Sequence, residues 1–214
     1  MDHLLKKFDV FIFDWDGTLA NIGPVSKLNE RYGPLWLYKK KRSRKRKSVP
    51  MEKGDYNIKE RMKKAKLEGT LFARFVDLYF FVVRPHLQRD AKAVLDELRA
   101  KKKVICLLTN AAPWRALRAL AKFGIEDYFE IIVSAQEIKA IKPNPAGLET
   151  IIKTLGAKKD RVVYIGDMVD DIMMAKYAKV HSCAIASGFS DYNKLKSTGP
   201  DYIFESMEGF KKSL

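Results

Sequence analysis

Residues 8–18 of the chain are Phe8-Asp9-Val10-Phe11-Ile12-Phe13-Asp14-Trp15-Asp16-Gly17-Thr18. They join a short apolar run to a polar turn that contains glycine. An apolar run of this length, bounded by turn residues, is typical of a buried β-strand. We therefore predict the first strand at residues 8–13, with Asp14 and Asp16 placed directly after it.

Short apolar runs and stretches of helical periodicity alternate along the chain after residue 84. We predict further strands at residues 104–108, 131–133, 162–165, 183–186 and 202–204. The helix before the second strand has a buried stripe, made of Leu87, Ala91, Val94, Leu95 and Leu98. This alternation predicts an α/β fold, a Rossmann-like three-layer doubly wound parallel sheet.

Two of the predicted helices have clear boundary residues. Proline fits the first turn of a helix because the amide it lacks has no partner there, and glycine tolerates the left-handed conformation that ends a helix. We therefore predict one helix from Pro113 to Gly124 and another from Asn144-Pro145 to Gly156.

The segment at residues 21–84 interrupts the alternation, and we predict that it is an insertion. It contains 18 basic and 6 acidic side chains, whereas the whole chain contains 41 and 26. Within it, eight of the nine residues at 39–47 are cationic, so mutual repulsion opposes compact packing. An apolar stripe at residues 71–79 predicts a helix that buries the stripe within its own module.

Polar side chains follow the predicted strands at positions where ligands bind in doubly wound sheets. They are Asp14, Asp16, Thr109, Asn110, Lys142, Asp167, Asp170 and Asp171. Each one alone is compatible with an ordinary turn, helix cap or solvated loop. Their joint position at four strand ends favours a shared site.

Together these residues resemble the four motifs of the haloacid dehalogenase-like superfamily, in its phosphoglycolate phosphatase-like subgroup with a helical cap. The matching motifs are Asp14-Trp15-Asp16-Gly17-Thr18-Leu19, Leu107-Leu108-Thr109-Asn110, Lys142-Pro143 and Gly166-Asp167-Met168-Val169-Asp170-Asp171. The resemblance covers residues 8–20 and 85–210. It implies a core domain at 1–20 and 85–214 and an inserted basic helical cap at 21–84.

The resemblance also implies a role for each residue. Asp14 is expected to attack phosphorus and form an aspartyl-phosphate, while Asp16 acts as general acid and then general base. Thr109, Asn110 and Lys142 are expected to bind the phosphoryl group. The expected ligands of Mg2+ are Asp14, the Asp16 backbone carbonyl, Asp167 and Asp171. Asp170 is the alternative to Asp171 as a metal ligand.

The resemblance implies a Mg2+-dependent phosphatase that hydrolyses a small organic phosphomonoester of the phosphoglycolate or sugar phosphate type. Asp16 argues against dehalogenation, because a departing halide needs no proton. Three alternatives stay open at this point: a phosphotransferase, a nucleotide or nucleic-acid phosphatase that uses the basic cap, and a non-catalytic anion-binding module.

The run at residues 39–47 has three interpretations: a solvated loop, a contact for a small anionic substrate, or a nucleic-acid contact. The first is favoured, since charge runs are common and no interleaved aromatic residues accompany this one.

The remaining composition indicates a cytoplasmic protein without a membrane contact. No apolar run reaches the roughly 18 residues that a membrane helix needs. The start of the chain lacks the pattern of a secretory signal. Cys106 and Cys183 lie in separate apolar runs, so we expect buried thiols instead of a disulfide.

Overall fold

The structure is a computed structural model that describes residues 3–21, 85–111, 113–135 and 137–214. The predictions for residues 22–84, including the basic run at 39–47 and the apolar stripe at 71–79, lie outside the described residues. Within the described ranges, no helix is both long and apolar enough to cross a membrane.

Eight strands occur in the described part of the chain. They are β1 (Val10–Phe13), β2 (Ala20–Asn21), β3 (His86–Leu87), β4 (Val104–Thr109), β5 (Ile131–Ser134), β6 (Val162–Gly166), β7 (His181–Ile185) and β8 (Tyr202–Phe204). Six of them form one sheet in the order β5-β4-β1-β6-β7-β8, and every neighbouring pair is parallel. The other two, β2 and β3, form a small antiparallel pair.

The strand order reverses direction at β1. The chain passes from β1 to β4 and β5 on one side, and then crosses to β6, β7 and β8 on the other side. In doubly wound sheets this switch point opens a crevice beyond the carboxyl ends of the two central strands. Here these strands are β1 and β6.

Helices cover both faces of the sheet. They are α1 (His3–Lys7), α2 (Ala91–Ala100), α3 (Pro113–Phe123), α4 (Ala146–Leu155), α5 (Val169–Ala178), α6 (Tyr192–Ser197) and α7 (Met207–Lys212). Two single turns of 3-10 helix lie at Glu126–Tyr128 and Lys159–Arg161. The described residues therefore form the predicted three layers.

Alternate side chains of each strand enter different cores. Phe11 and Phe13 of β1 pack in the core that includes helices α1, α2, α3 and α7. Val10 and Ile12 pack in the core that includes helices α4 and α5. A strand buried on both faces needs apolar residues at every position, which explains the continuous apolar runs of the sequence.

The two helix boundaries marked by proline and glycine are confirmed. Helix α3 begins at Pro113 and is followed by Gly124, and α4 follows Pro145 and ends before Gly156. Both glycines have positive φ angles, 62° and 63°, which residues with a side chain rarely adopt.

Two predicted elements begin later than expected, and the strand predicted at residues 183–186 lies at His181–Ile185. The first strand begins at Val10 instead of Phe8, because the Phe8 amide donates a hydrogen bond to the Leu4 carbonyl and closes the turn after α1. Leu87 is not part of the helix that follows it; it pairs with Ala20 between β3 and β2, and α2 starts at Ala91. In both cases the apolar pattern of the sequence begins before the first residue of the element.

The pair of β2 and β3 holds two distant parts of the chain together. Asn21 lies opposite His86, and Ala20 lies opposite Leu87. The described residues on the two sides of positions 22–84 therefore lie next to each other.

Candidate active site

The polar residues of the sequence motifs meet at the carboxyl edge of the sheet. Asp14 follows β1, Thr109 ends β4, and Asp167 follows β6. All three side chains are buried. Because β1 and β6 flank the switch point, Asp14 and Asp167 lie at the crevice where this sheet type binds ligands.

Lys142 is the cation at the centre of this group. Its Nζ contacts the Asp14 carboxylate and lies 2.9 Å from Oδ1 of Asp171. The Lys142 side chain is only 4% exposed. A buried ammonium held between two carboxylates places a fixed positive charge beside Asp14.

Asp171 is held from several directions. Its Oδ2 accepts hydrogen bonds from the backbone amides of Asp167 and Met168, at 3.1 and 2.9 Å. Its Oδ1 accepts from Lys142 and lies 3.3 Å from the Tyr164 hydroxyl. Asp171, and not the half-buried Asp170, is therefore the acidic residue of α5 that joins the buried group.

The carboxylate of Asp167 is closely surrounded by two hydrogen-bond donors and two glycines. The Thr18 hydroxyl donates to its Oδ1 at 3.0 Å, and the Phe189 amide donates to its Oδ2 at 2.6 Å. Gly17 and Gly188 approach the carboxylate so closely that a Cβ on either residue would collide with it. Gly17 also has a φ of 87°, a conformation that glycine adopts without strain.

Burial and the neighbouring charges together shift the pKa values of these groups. Burial raises the pKa of the Asp14 carboxyl to about 7, and Lys142 opposes this rise. The pKa of Asp167 lies well above its usual range because of burial and the nearby charges of Asp14 and Asp171. Burial acts to lower the pKa of Lys142, but Asp14 and Asp171 outweigh it and raise that pKa. Lys142 therefore stays charged.

The donor set suits a hard divalent cation. Asp14, Asp167 and Asp171 place carboxylate oxygens within 4.8 Å of one another. Three carboxylates and one lysine leave an excess of buried negative charge when all are ionised, and a divalent cation would neutralise it. Oxygen ligands of this kind are those that Mg2+ takes in proteins. The residues present therefore fit the predicted metal.

Asp16 lies apart from the three carboxylates. Its Oδ1 accepts a hydrogen bond from Nη1 of Arg115 at 2.8 Å, and its Oδ2 contacts Nη2 of the same guanidinium. The two side chains are 20% and 15% exposed. Asp16 is thus oriented by a two-point ion pair at the more open side of the site.

Thr109 and Asn110 organise the loops around Asp14. The Thr109 hydroxyl accepts a hydrogen bond from the Ala111 amide at 3.0 Å, so its own hydrogen can be donated to another group. Oδ1 of Asn110 accepts from the backbone amide of Lys142 at 3.2 Å. Asn110 thereby supports the loop that carries Lys142, and phosphate binding by either residue stays a prediction.

Sequence reasoning missed several residues that shape the site. Thr18, Tyr164, Phe189 and Arg115 all contact its acidic residues. Arg115 had a usable signal, since it lies in the first turn of the helix that follows Thr109. Phe189 gave none, because it acts through its backbone amide.

Comparison with known proteins identifies the family to which this site belongs. A model of haloacid dehalogenase-like hydrolases matches residues 11–185. The chain belongs to the haloacid dehalogenase-like hydrolase family. The match includes every predicted site residue.

Curated relatives of this haloacid dehalogenase-like chain cover part of it. The pyrophosphatase PpaX of Halalkalibacterium halodurans is 30% identical over 103 residues, which are 48% of this chain and 48% of that protein. A phosphoglycolate phosphatase of Haemophilus influenzae is 29% identical over 121 residues, 56% of this chain and 54% of the relative. The chain thus matches about half the length of these relatives.

Solved structures of haloacid dehalogenase-like proteins share the fold over more of the chain. A predicted phosphoglycolate phosphatase from Haemophilus somnus has a TM-score of 0.68 at 22% identity, covering 96% of this chain and 97% of the other. A hydrolase from Pseudomonas syringae has a TM-score of 0.64 at 19% identity, covering 95% and 96%. At these identities the likeness concerns the fold alone.

Proposed function

We propose that the protein is a Mg2+-dependent phosphatase that hydrolyses a small organic phosphomonoester through an aspartyl-phosphate intermediate. The observation that carries the proposal is the convergence of Asp14, Lys142, Asp167 and Asp171 at the switch point of the sheet. Such a group supplies a nucleophile, a fixed cation and ligands for a divalent metal.

The first half-reaction begins at the Asp14 carboxylate. One of its oxygens attacks phosphorus, the bond from phosphorus to the leaving oxygen breaks, and an aspartyl-phosphate forms. Lys142 neutralises part of the charge on Asp14 and on the phosphoryl oxygens, and Thr109 donates its hydroxyl to one of those oxygens. Asp16 gives a proton to the leaving oxygen.

The second half-reaction uses the same residues in reverse order. Asp16, now ionised, takes a proton from a water molecule, and the resulting oxygen attacks phosphorus. The bond to Asp14 breaks, and inorganic phosphate is released. Arg115 holds the Asp16 carboxylate in a defined orientation between the two half-reactions.

We propose that Asp14, Asp167 and the Asp16 backbone carbonyl hold the metal directly, with Asp171 as a further or water-mediated contact. When bound, Mg2+ supplies positive charge that stabilises the phosphoryl group in the transition state. The four hydrogen-bonding contacts of Asp171 favour a supporting role for its carboxylate.

The substrate class is proposed from two sources. The relatives include proteins named phosphoglycolate phosphatase and pyrophosphatase PpaX, which supports a small phosphoester or phosphoanhydride. The buried positions of Asp14 and Lys142 support a small substrate too, because a bulky group would be excluded from them.

We also propose that residues 21–84 form the inserted cap of the core at 1–20 and 85–214. The pairing of Asn21 with His86 supports this division, since it brings both ends of the segment to one point of the core. A unit attached through such a stem can close over the site and exclude water during the reaction.

Phosphate release from a panel of small phosphoesters, nucleotides and phosphorylated oligonucleotides tests the proposal. The wild-type protein should release phosphate from a small phosphomonoester with Mg2+, and EDTA should stop it. The Asp14→Asn protein should be inactive on the same compound, because an amide oxygen is a poor nucleophile. Normal turnover by the Asp14→Asn protein would contradict the mechanism.

A further inference from the structure

The ion pair of Arg115 with Asp16 places a second cation at the site. The Lys142 ammonium contacts the carboxylates of Asp14 and Asp171. Arg115 contacts the other aspartate of the first motif, and it does so through both of its terminal nitrogens. Each of the two aspartates of the first motif, Asp14 and Asp16, is therefore in contact with its own cation.

The contact with Asp16 puts Arg115 on the side of the site where the leaving group is expected. Under the proposed function, Asp16 gives its proton to the leaving oxygen, so the leaving group must lie within hydrogen-bond distance of its carboxylate. Arg115 binds that carboxylate directly. Any group one or two bonds away from the leaving oxygen is then close to the guanidinium as well.

The chemistry of the guanidinium determines what such a group can be. A guanidinium is always charged and presents five N–H donors in one plane, and it binds carboxylates and phosphates at two points. Because the Arg115 side chain is largely buried, its interaction with an anion is stronger than the same interaction in bulk water. A neutral sugar hydroxyl would interact with the same guanidinium much more weakly.

We propose that Arg115 is a specificity-determining residue that selects substrates whose leaving group carries a carboxylate or phosphate close to the departing oxygen. This inference rests on the proposed function and narrows it, because it favours phosphoglycolate-type or phosphoanhydride substrates over neutral sugar phosphates. Arg115 contacts the leaving group, while Lys142 contacts the phosphoryl group that is transferred.

A matched substrate pair tests this role. Phosphoglycolate and its uncharged amide, phosphoglycolamide, differ only in the charge of the leaving group. The wild-type protein should favour the acid over the amide in kcat/KM. Arg115→Gln should reduce this preference by about 10- to 100-fold, the range expected when a hydrogen bond to a charged group is lost. Most of the change should appear in KM for the acid.

Two further variants complete the test. Arg115→Lys keeps the charge but not the two-point geometry, so it should retain an intermediate preference. Arg99→Gln removes an exposed arginine at the far end of α2, where its guanidinium lies 5.1 Å from the ring centre of Tyr128. This control should keep the wild-type preference. Circular dichroism of each variant reports whether it folds.

The possible outcomes separate this inference from the proposed function. An equal loss of activity on both compounds in Arg115→Gln would overturn the inference, because it would show that Arg115 only positions Asp16. A wild-type protein without preference for the acid would overturn it even if the variants fail to fold. Absence of phosphate release from every phosphoester by wild-type protein would refute the proposed function itself.

Discussion

Lys142 and Asp171 form a buried ion pair, with 2.9 Å between Nζ and Oδ1. The two side chains are 4% and 2% exposed. The same Asp171 carboxylate accepts the amides at the start of α5, so this pair joins the loop that carries Lys142 to the loop after β6. Its integrity affects both the stability of the fold and the position of the cation beside Asp14.

Replacing Asp171 should destabilise the protein strongly. Asp171→Ala leaves the backbone amides of Asp167 and Met168 without their acceptor, although Lys142 keeps its contact with Asp14. At about 1–3 kcal/mol for each buried donor left unpaired, the free energy of unfolding should fall by about 2–5 kcal/mol. Urea denaturation measures the difference. The matched control is Asp170→Ala, which removes a half-buried neighbour outside the group and should cost below about 1 kcal/mol. Equal losses in the two variants would contradict the assignment of Asp171.

Replacing Asp16 should reveal the two half-reactions. With an alkyl phosphoester, Asp16→Asn should turn over about 100- to 10,000-fold more slowly, because the leaving alkoxide needs a proton. With p-nitrophenyl phosphate the leaving group needs none, so the variant should form the aspartyl-phosphate and then stall. Rapid-mixing absorbance should show a burst of about one p-nitrophenolate per protein molecule. A steady rate equal to that of the wild type would rule out the dual role.

Replacing Gly188 should disturb Asp167. A Cβ at Gly188 would collide with the Asp167 carboxylate, so Gly188→Ala must move the side chain or the loop. The expected result is weaker Mg2+ binding, measured by calorimetry, together with loss of phosphate release. Gly209→Ala is the control, since the nearest atom to its added Cβ is 3.8 Å away. If both variants bind Mg2+ like the wild type, Asp167 is not a ligand.

The stability of the metal-free protein should fall as the pH rises. Burial raises the pKa of Asp14 to about 7 in the folded protein, above the ordinary carboxyl value. The folded state then binds more protons than the unfolded state between about pH 4 and pH 7, so raising the pH across this range lowers the free energy of unfolding.

Thermal unfolding in EDTA at several pH values measures this effect. Asp14→Asn removes the titrating group, so its Tm should fall less over the same range. Added Mg2+ should raise the Tm of the wild type more at high pH than at low pH, because the cation binds the ionised carboxylates. Identical pH profiles for the wild type and Asp14→Asn would argue against the raised pKa.

Much of the fold could be predicted because its elements are encoded locally. The strands β4, β5 and β6 appear as continuous apolar runs, since both of their faces are buried. Helices α3 and α4 have boundaries set by proline and glycine, whose effects depend on the backbone of a few residues. The errors at Phe8 and Leu87 arose where apolar residues outside an element also pack into the core.

The sequence by itself determined the α/β class, the strand ends at which Asp14, Thr109 and Asp167 lie, and the motifs that identify the family. Only the tertiary structure showed that Asp171, and not Asp170, lies in the buried carboxylate group, and only it paired Arg115 with Asp16 across 99 positions of the chain. Periodicity records which residues are buried, because burial repeats with the local geometry of a helix or strand. The same periodicity does not indicate which distant side chains are in contact, because those contacts depend on the order in which the strands lie in the sheet.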